Sequence, residues 1–96
     1  MIAVTAPIWL WSGGQGAWHF LTIPEEQATE IRAHGFGGER RGFGSVRVEA
    51  TINSVSWRTS VFPQQSGGYI LPVKADVRRR AGVAAGDVVT VELDLL

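Results

Sequence analysis

The side chains in this sequence that could carry chemistry are few: two histidines, scattered serines, one pair of adjacent glutamates and a set of arginines. His19 and His34 lack a third ligand at a usable spacing, and neither a His-Glu-x-x-His pattern nor a cysteine accompanies them, so no metal site is expected. Catalysis by His19 would also need an orienting partner, which spacing alone does not reveal. Ser45, Ser60 and Ser66 fall outside any Gly-x-Ser-x-Gly elbow. Glu25 and Glu26 are neighbours at a helix start, where adjacent side chains point apart and suit the helix dipole better than acid–base work. The expectation is a protein that is not an enzyme and carries no cofactor.

The glycine-rich stretch 35–44 resembles a phosphate cradle only in composition. The spacing from Gly37 to Gly42 is followed by Phe43 where a Walker loop needs lysine. Neither Gly35-x-Gly37 nor Gly42-x-Gly44 continues to a third glycine, because Arg40 and Arg47 stand there. What remains is polar groups on strand faces. Arg47, Arg58 and Ser60 point outward by period, and with Tyr69 and Lys74 they are expected to line a small groove for an anionic ligand or a protein partner. A nucleic-acid alternative would set Arg40, Arg41, Arg78, Arg79 and Arg80 on phosphates, although nine basic and nine acidic residues give a net charge of zero.

These residues need elements to hold them. Ile2 to Trp11 is apolar and strand-like, with Pro7 expected at an edge or a bulge because proline cannot donate to a ladder. Ser12 to Gly16 turns the chain into a second strand, Ala17 to Ile23. Pro24, the two glutamates and the capping-box spacing of Thr22 with Glu25 predict a short helix to about Ala33, stopped at Gly35. Residues 35–44 read as a loop.

From Ser45 the period becomes two, with Val46, Val48, Ala50 and Ile52 on the core face. Asn53-Ser54 is a plausible two-residue turn into a strand carrying Trp57, Thr59 and Val61 on one side and Arg58, Ser60 and Phe62 on the other. If that hairpin closes, Arg47 and Arg58 are diagonal neighbours. Tyr69 to Val73 is a further strand, Lys74 to Ala81 a helix capped by Gly82, and Val88 to Leu95 a last alternating strand. The four tryptophans, Trp9, Trp11, Trp18 and Trp57, are expected to fill the core; only an exposed ring beside a basic patch would point to base stacking.

Ninety-six residues allow one core, so the chain reads as a single domain over 1–96. No window reaches membrane-helix length, the N-terminal apolar run has no basic flank or cleavage pattern, and the lack of cysteine fits a reducing compartment. A cytoplasmic protein without membrane attachment is expected, and exposed barrel edges make a homodimer reasonable. About six strands and two short helices favour a mostly-β barrel over a covered parallel sheet.

Two stretches also share a plan: Ser12-Gly13-Gly14, strand, Pro24, helix, Gly35, and Ser66-Gly67-Gly68, strand, Pro72, helix, Gly82. Two such units interlocking would close one barrel about a pseudo-twofold axis. The second unit, Ile70 to Arg78 through Gly82 to Gly86-Asp87-Val88-Val89, resembles the strand-Pro-helix-Gly-Asp-strand element of the AbrB/MazE/MraZ swapped-hairpin proteins. A wider resemblance is to the bacterial family known as domain of unknown function 1905. It is carried by Gly16-Ala17-Trp18-His19-Phe20, Arg41-Gly42-Phe43-Gly44-Ser45-Val46, Trp57-Arg58-Thr59-Ser60 and Tyr69-Ile70-Leu71-Pro72-Val73-Lys74. That resemblance implies a double-split β-barrel related to the swapped-hairpin proteins and implies no activity.

Overall fold

The structure is a computed structural model that describes residues 1–14, 16–37 and 44–96. Six strands and two helices follow in the order β1 (Ile2–Gly13), β2 (Gly16–Ile23), α1 (Glu25–Gly37), β3 (Val46–Ile52), β4 (Val55–Pro63), β5 (Tyr69–Pro72), α2 (Ala75–Ala81) and β6 (Val88–Leu95). The strands close an antiparallel barrel in the order β1-β2-β5-β4-β3-β6.

Closure is made by two long strands that each serve two partners. β1 pairs with β6 from Ile2 to Pro7 and with β2 from Ile8 onward. β4 does the same, pairing with β3 up to Val61 and with β5 from Phe62. Exchanging β1, β2, α1 and β3 with β4, β5, α2 and β6 leaves the strand order unchanged, so the two similar sequence units become the two halves of a pseudo-twofold barrel.

Pro7 is therefore at neither an edge nor a bulge. It is the last residue of β1 paired to β6, opposite Val88, and its missing N–H falls where the strand changes partners. Ile8 then donates to the Asp87 carbonyl at 2.9 Å and accepts from the Gly86 N–H at 2.7 Å, which seals the junction.

The interior is filled by branched aliphatic residues. Ile2, Val4 and Ile8 from β1, Leu21 and Ile23 from β2, alternate residues of β3 and β6, and Leu71 from β5 are all buried. Helix α1 adds Ala28 and Ile31, and α2 adds Val77 and Ala81. These belong to one core cluster, so both helices plug the same barrel.

The tryptophan expectation fails for three of four. Only Trp57 is buried; Trp9 is half-buried, and Trp11 and Trp18 are 48% and 56% exposed. The cause is strand parity: with Ile8 and Leu21 inward, Trp9, Trp11, Trp18 and Phe20 must point outward.

Helix α1 also departs from expectation, continuing through Gly35 to Gly37. Glycine weakens a helix by about 1 kcal/mol but stops one only where the backbone turns left-handed. No capping box forms either, because Thr22 still lies in β2, where its hydroxyl accepts from the Trp9 indole N–H at 2.8 Å. The Glu25 carboxylate instead accepts from the Gly68 N–H at 2.7 Å and pairs with Arg32 at 2.7 Å. Helix α2 matches its prediction closely, with Lys74 at the N-cap and Gly82 closing it at φ 71°.

Candidate functional site

The β3–β4 hairpin sets the first part of the site. Its turn is formed by Asn53 and Ser54 with φ 48° and 67°, the paired left-handed geometry of a type I′ turn. The Asn53 amide donates to the Ala81 carbonyl at 3.0 Å, tying the turn to the end of α2. The resulting register places Arg47 opposite Ser60 and Glu49 opposite Arg58, so Arg47 and Arg58 are diagonal neighbours as the two-residue turn requires.

The second part comes from the β5–α2 junction, which packs beside β2. The Val73 N–H donates to the His19 carbonyl at 2.9 Å, continuing the β2–β5 ladder into the loop. The same Val73 offers its carbonyl to Arg78 Nη1 at 2.7 Å, which fixes that guanidinium against the junction. Lys74, at the N-cap with extended backbone, makes no side-chain cap bond and is exposed.

These elements bound a groove of about 460 Å³ in which Arg58, Lys74 and Arg78 meet beside Trp18, His19 and Thr59. None of its described lining residues is a carboxylate. Arg58 keeps a long contact of 3.6 Å with Glu49 across the hairpin, with 67% of its side chain exposed, so that pair holds it weakly. The His19 imidazole is pushed below its ordinary value, first by burial and then by the positive charge of Arg78. Both effects favour its neutral form.

A second groove, about 700 Å³, adjoins the first along Trp18, Thr59 and Pro72. Arg47 and Ser60 line this one, among Trp9, Trp11, Phe20 and Phe62. The expected site thus divides between two connected grooves: Arg58 and Lys74 in the basic one, Arg47 and Ser60 in the aromatic one. Tyr69 joins neither. At 4% exposure it is a core residue, because β5 parity turns Tyr69 and Leu71 inward.

Of the arginines of the nucleic-acid alternative, the three on α2 are divided. Arg79 and Arg80 both bind the Asp76 carboxylate, at 2.8 and 3.2 Å, while Arg78 turns into the basic groove. Arg40 and Arg41 lie outside the described residues. Three groove members went unselected from sequence: Arg78 as a groove residue, and Trp18 and His19 as walls. The spacing of Lys74 and Arg78, one helical turn apart from the N-cap into α2, was the available signal for the first. His34 stands apart, its Nε2 2.9 Å from the Leu96 carbonyl oxygen.

Among the described residues no three histidine or carboxylate side chains gather as a metal site, and no helix is long and apolar enough to cross a membrane. No curated protein matches the chain. The pattern of the family described as Domain of unknown function (DUF1905) matches residues 5–93, which takes in both grooves and at least part of all six strands. With that match spanning nearly the whole barrel, the chain belongs to the DUF1905 family.

Proposed function

We propose that the protein is a binding module whose basic groove receives an anionic group such as a phosphate, sulfate or carboxylate on a small ligand. The observation that carries this reading is the meeting of Arg58, Lys74 and Arg78 in one groove without a carboxylate in its described lining. Like charges brought together repel, and an anion placed among them removes that cost while gaining charge-assisted hydrogen bonds. Arg78 is already held by Val73, so little side-chain freedom is lost when its remaining donors engage a ligand.

The barrel supports the groove rather than changing shape around it. Arg58 sits in the middle of a fully paired hairpin, Arg78 belongs to a helix whose inner face is locked by Val77 and Ala81, and Lys74 is the N-cap of that helix. Such a site is expected to bind small anions weakly to moderately, in the millimolar to micromolar range. Calorimetric titration with inorganic phosphate tests it. Lys74→Ala and Arg78→Ala are each expected to weaken binding about tenfold, the usual loss for a hydrogen bond to a charged group. Phosphate that neither binds nor raises the melting temperature at millimolar concentration, or binds both variants as it binds the native protein, would overturn the reading.

A further inference from the structure

The aromatic groove extends the basic one with surfaces of a different kind. Trp11 and Trp18 are cross-strand partners on the outer face of the β1–β2 hairpin, 48% and 56% exposed. The hairpin tip leaves them uncovered: a Cβ on Gly13 would lie only 3.3 Å from the Trp11 ring, and a third concavity of about 480 Å³ runs between the two indoles over Gly13, Gly14 and Gly16. Trp9 is fixed beneath them by its bond to Thr22 and by Phe20, whose ring centre is 5.1 Å away. Trp18 is common to all three concavities.

Exposed indoles are costly to leave in water, and a patch of this kind marks an interaction surface. Its neighbours say what covers it. Arg47 lies within the aromatic groove, and Arg58, Lys74 and Arg78 lie immediately past Trp18. A purely apolar partner would strip water from these cations without compensating them. A ligand that carries a planar ring and an anion satisfies both halves at once.

We infer that the joined grooves take a nucleotide phosphate, its base stacked on Trp18 or Trp11 and its phosphate on Arg58, Lys74 and Arg78. This rests on the anion reading of the basic groove and names the ligand class. The base must be free to stack, so the source is a mononucleotide or a single strand; in a duplex the ring faces are hidden. Zero net charge is no obstacle, because only the few cations of the strip touch phosphate.

Calorimetry on the whole chain with inorganic phosphate, adenosine monophosphate and a thymidine tetranucleotide tests this. Both nucleotides are expected to bind at least about tenfold tighter than phosphate, and Trp11→Ala, at a ring that lines the aromatic concavities and not the basic groove, should remove much of that advantage while leaving phosphate affinity within about twofold. Trp11→Phe should restore most of it, and Trp18→Ala, which alters a wall shared with the basic groove, provides a second variant whose nucleotide and phosphate affinities are read together. A tetranucleotide that outbinds the mononucleotide identifies a single strand as the source, and equal affinities identify the free nucleotide. Nucleotides binding no tighter than phosphate, or unaffected by both tryptophan changes, would overturn the inference and leave the anion reading standing. Failure of all three ligands would remove both. A dimer in sedimentation that Trp18→Ala dissociates would show a second copy covering the face, and would also overturn it.

Discussion

At Gly68 the chain takes φ 77°, and a Cβ there would drive into the Ile23 carbonyl at the end of β2. Its N–H is also the donor that holds the Glu25 carboxylate. Gly68→Ala is therefore expected to destabilise the fold by about 3 kcal/mol or more, a loss read directly from urea denaturation. Glu25 itself is held below the ordinary carboxylate range, chiefly by that Gly68 N–H and then by Arg32. A depressed acid stabilises the fold above its unfolded value, about 4.3, and loses that contribution as pH falls through the lower folded value. Stability should accordingly drop on acidification below about pH 4.3, and Glu25→Gln should flatten that part of the profile. None of this was visible in sequence, where Thr22 and Glu25 had capping-box spacing; the carboxylate answers instead to a glycine 43 positions away.

At the scale of elements, strands with a clean alternation were legible and strands apolar on both faces were not. β3 and β6 announce their inward residues because polar ones separate them. In Ile8-Trp9-Leu10-Trp11 and Trp18-His19-Phe20-Leu21 both faces are apolar or aromatic, so composition hides the parity that turns the indoles out. Tyr69 was misplaced for a related reason, since four residues of β5 carry too few alternations to define a face. The β3–β4 turn was readable from Asn53-Ser54, yet its second position is strained: Ser54 holds φ 67° without the freedom of glycine. Ser54→Gly should raise stability by about 0.5–1 kcal/mol, measurable as an increased melting temperature.

For the whole molecule, the sequence echo between the two halves carried more information than any single motif. Two strand-Pro-helix units predicted a pseudo-twofold barrel, and the observed order β1-β2-β5-β4-β3-β6 has that symmetry. The symmetry does not extend to the surface: the first half carries Trp9, Trp11 and Trp18, and the second carries Arg58, Lys74 and Arg78. Their meeting across β2 and the β5–α2 junction depends on residues far apart in sequence, which is why the groove was only partly legible: Arg58 and Lys74 were foreseen, their neighbours Trp18, His19 and Arg78 were not. The most direct test of an anion-binding barrel is amide chemical-shift mapping during titration with inorganic phosphate. Saturable shifts confined to Ala17–His19, Arg58–Thr59 and Val73–Arg78 are the predicted result. Shifts spread evenly over the barrel, or confined to Arg79, Arg80 and other residues away from that groove, would contradict it.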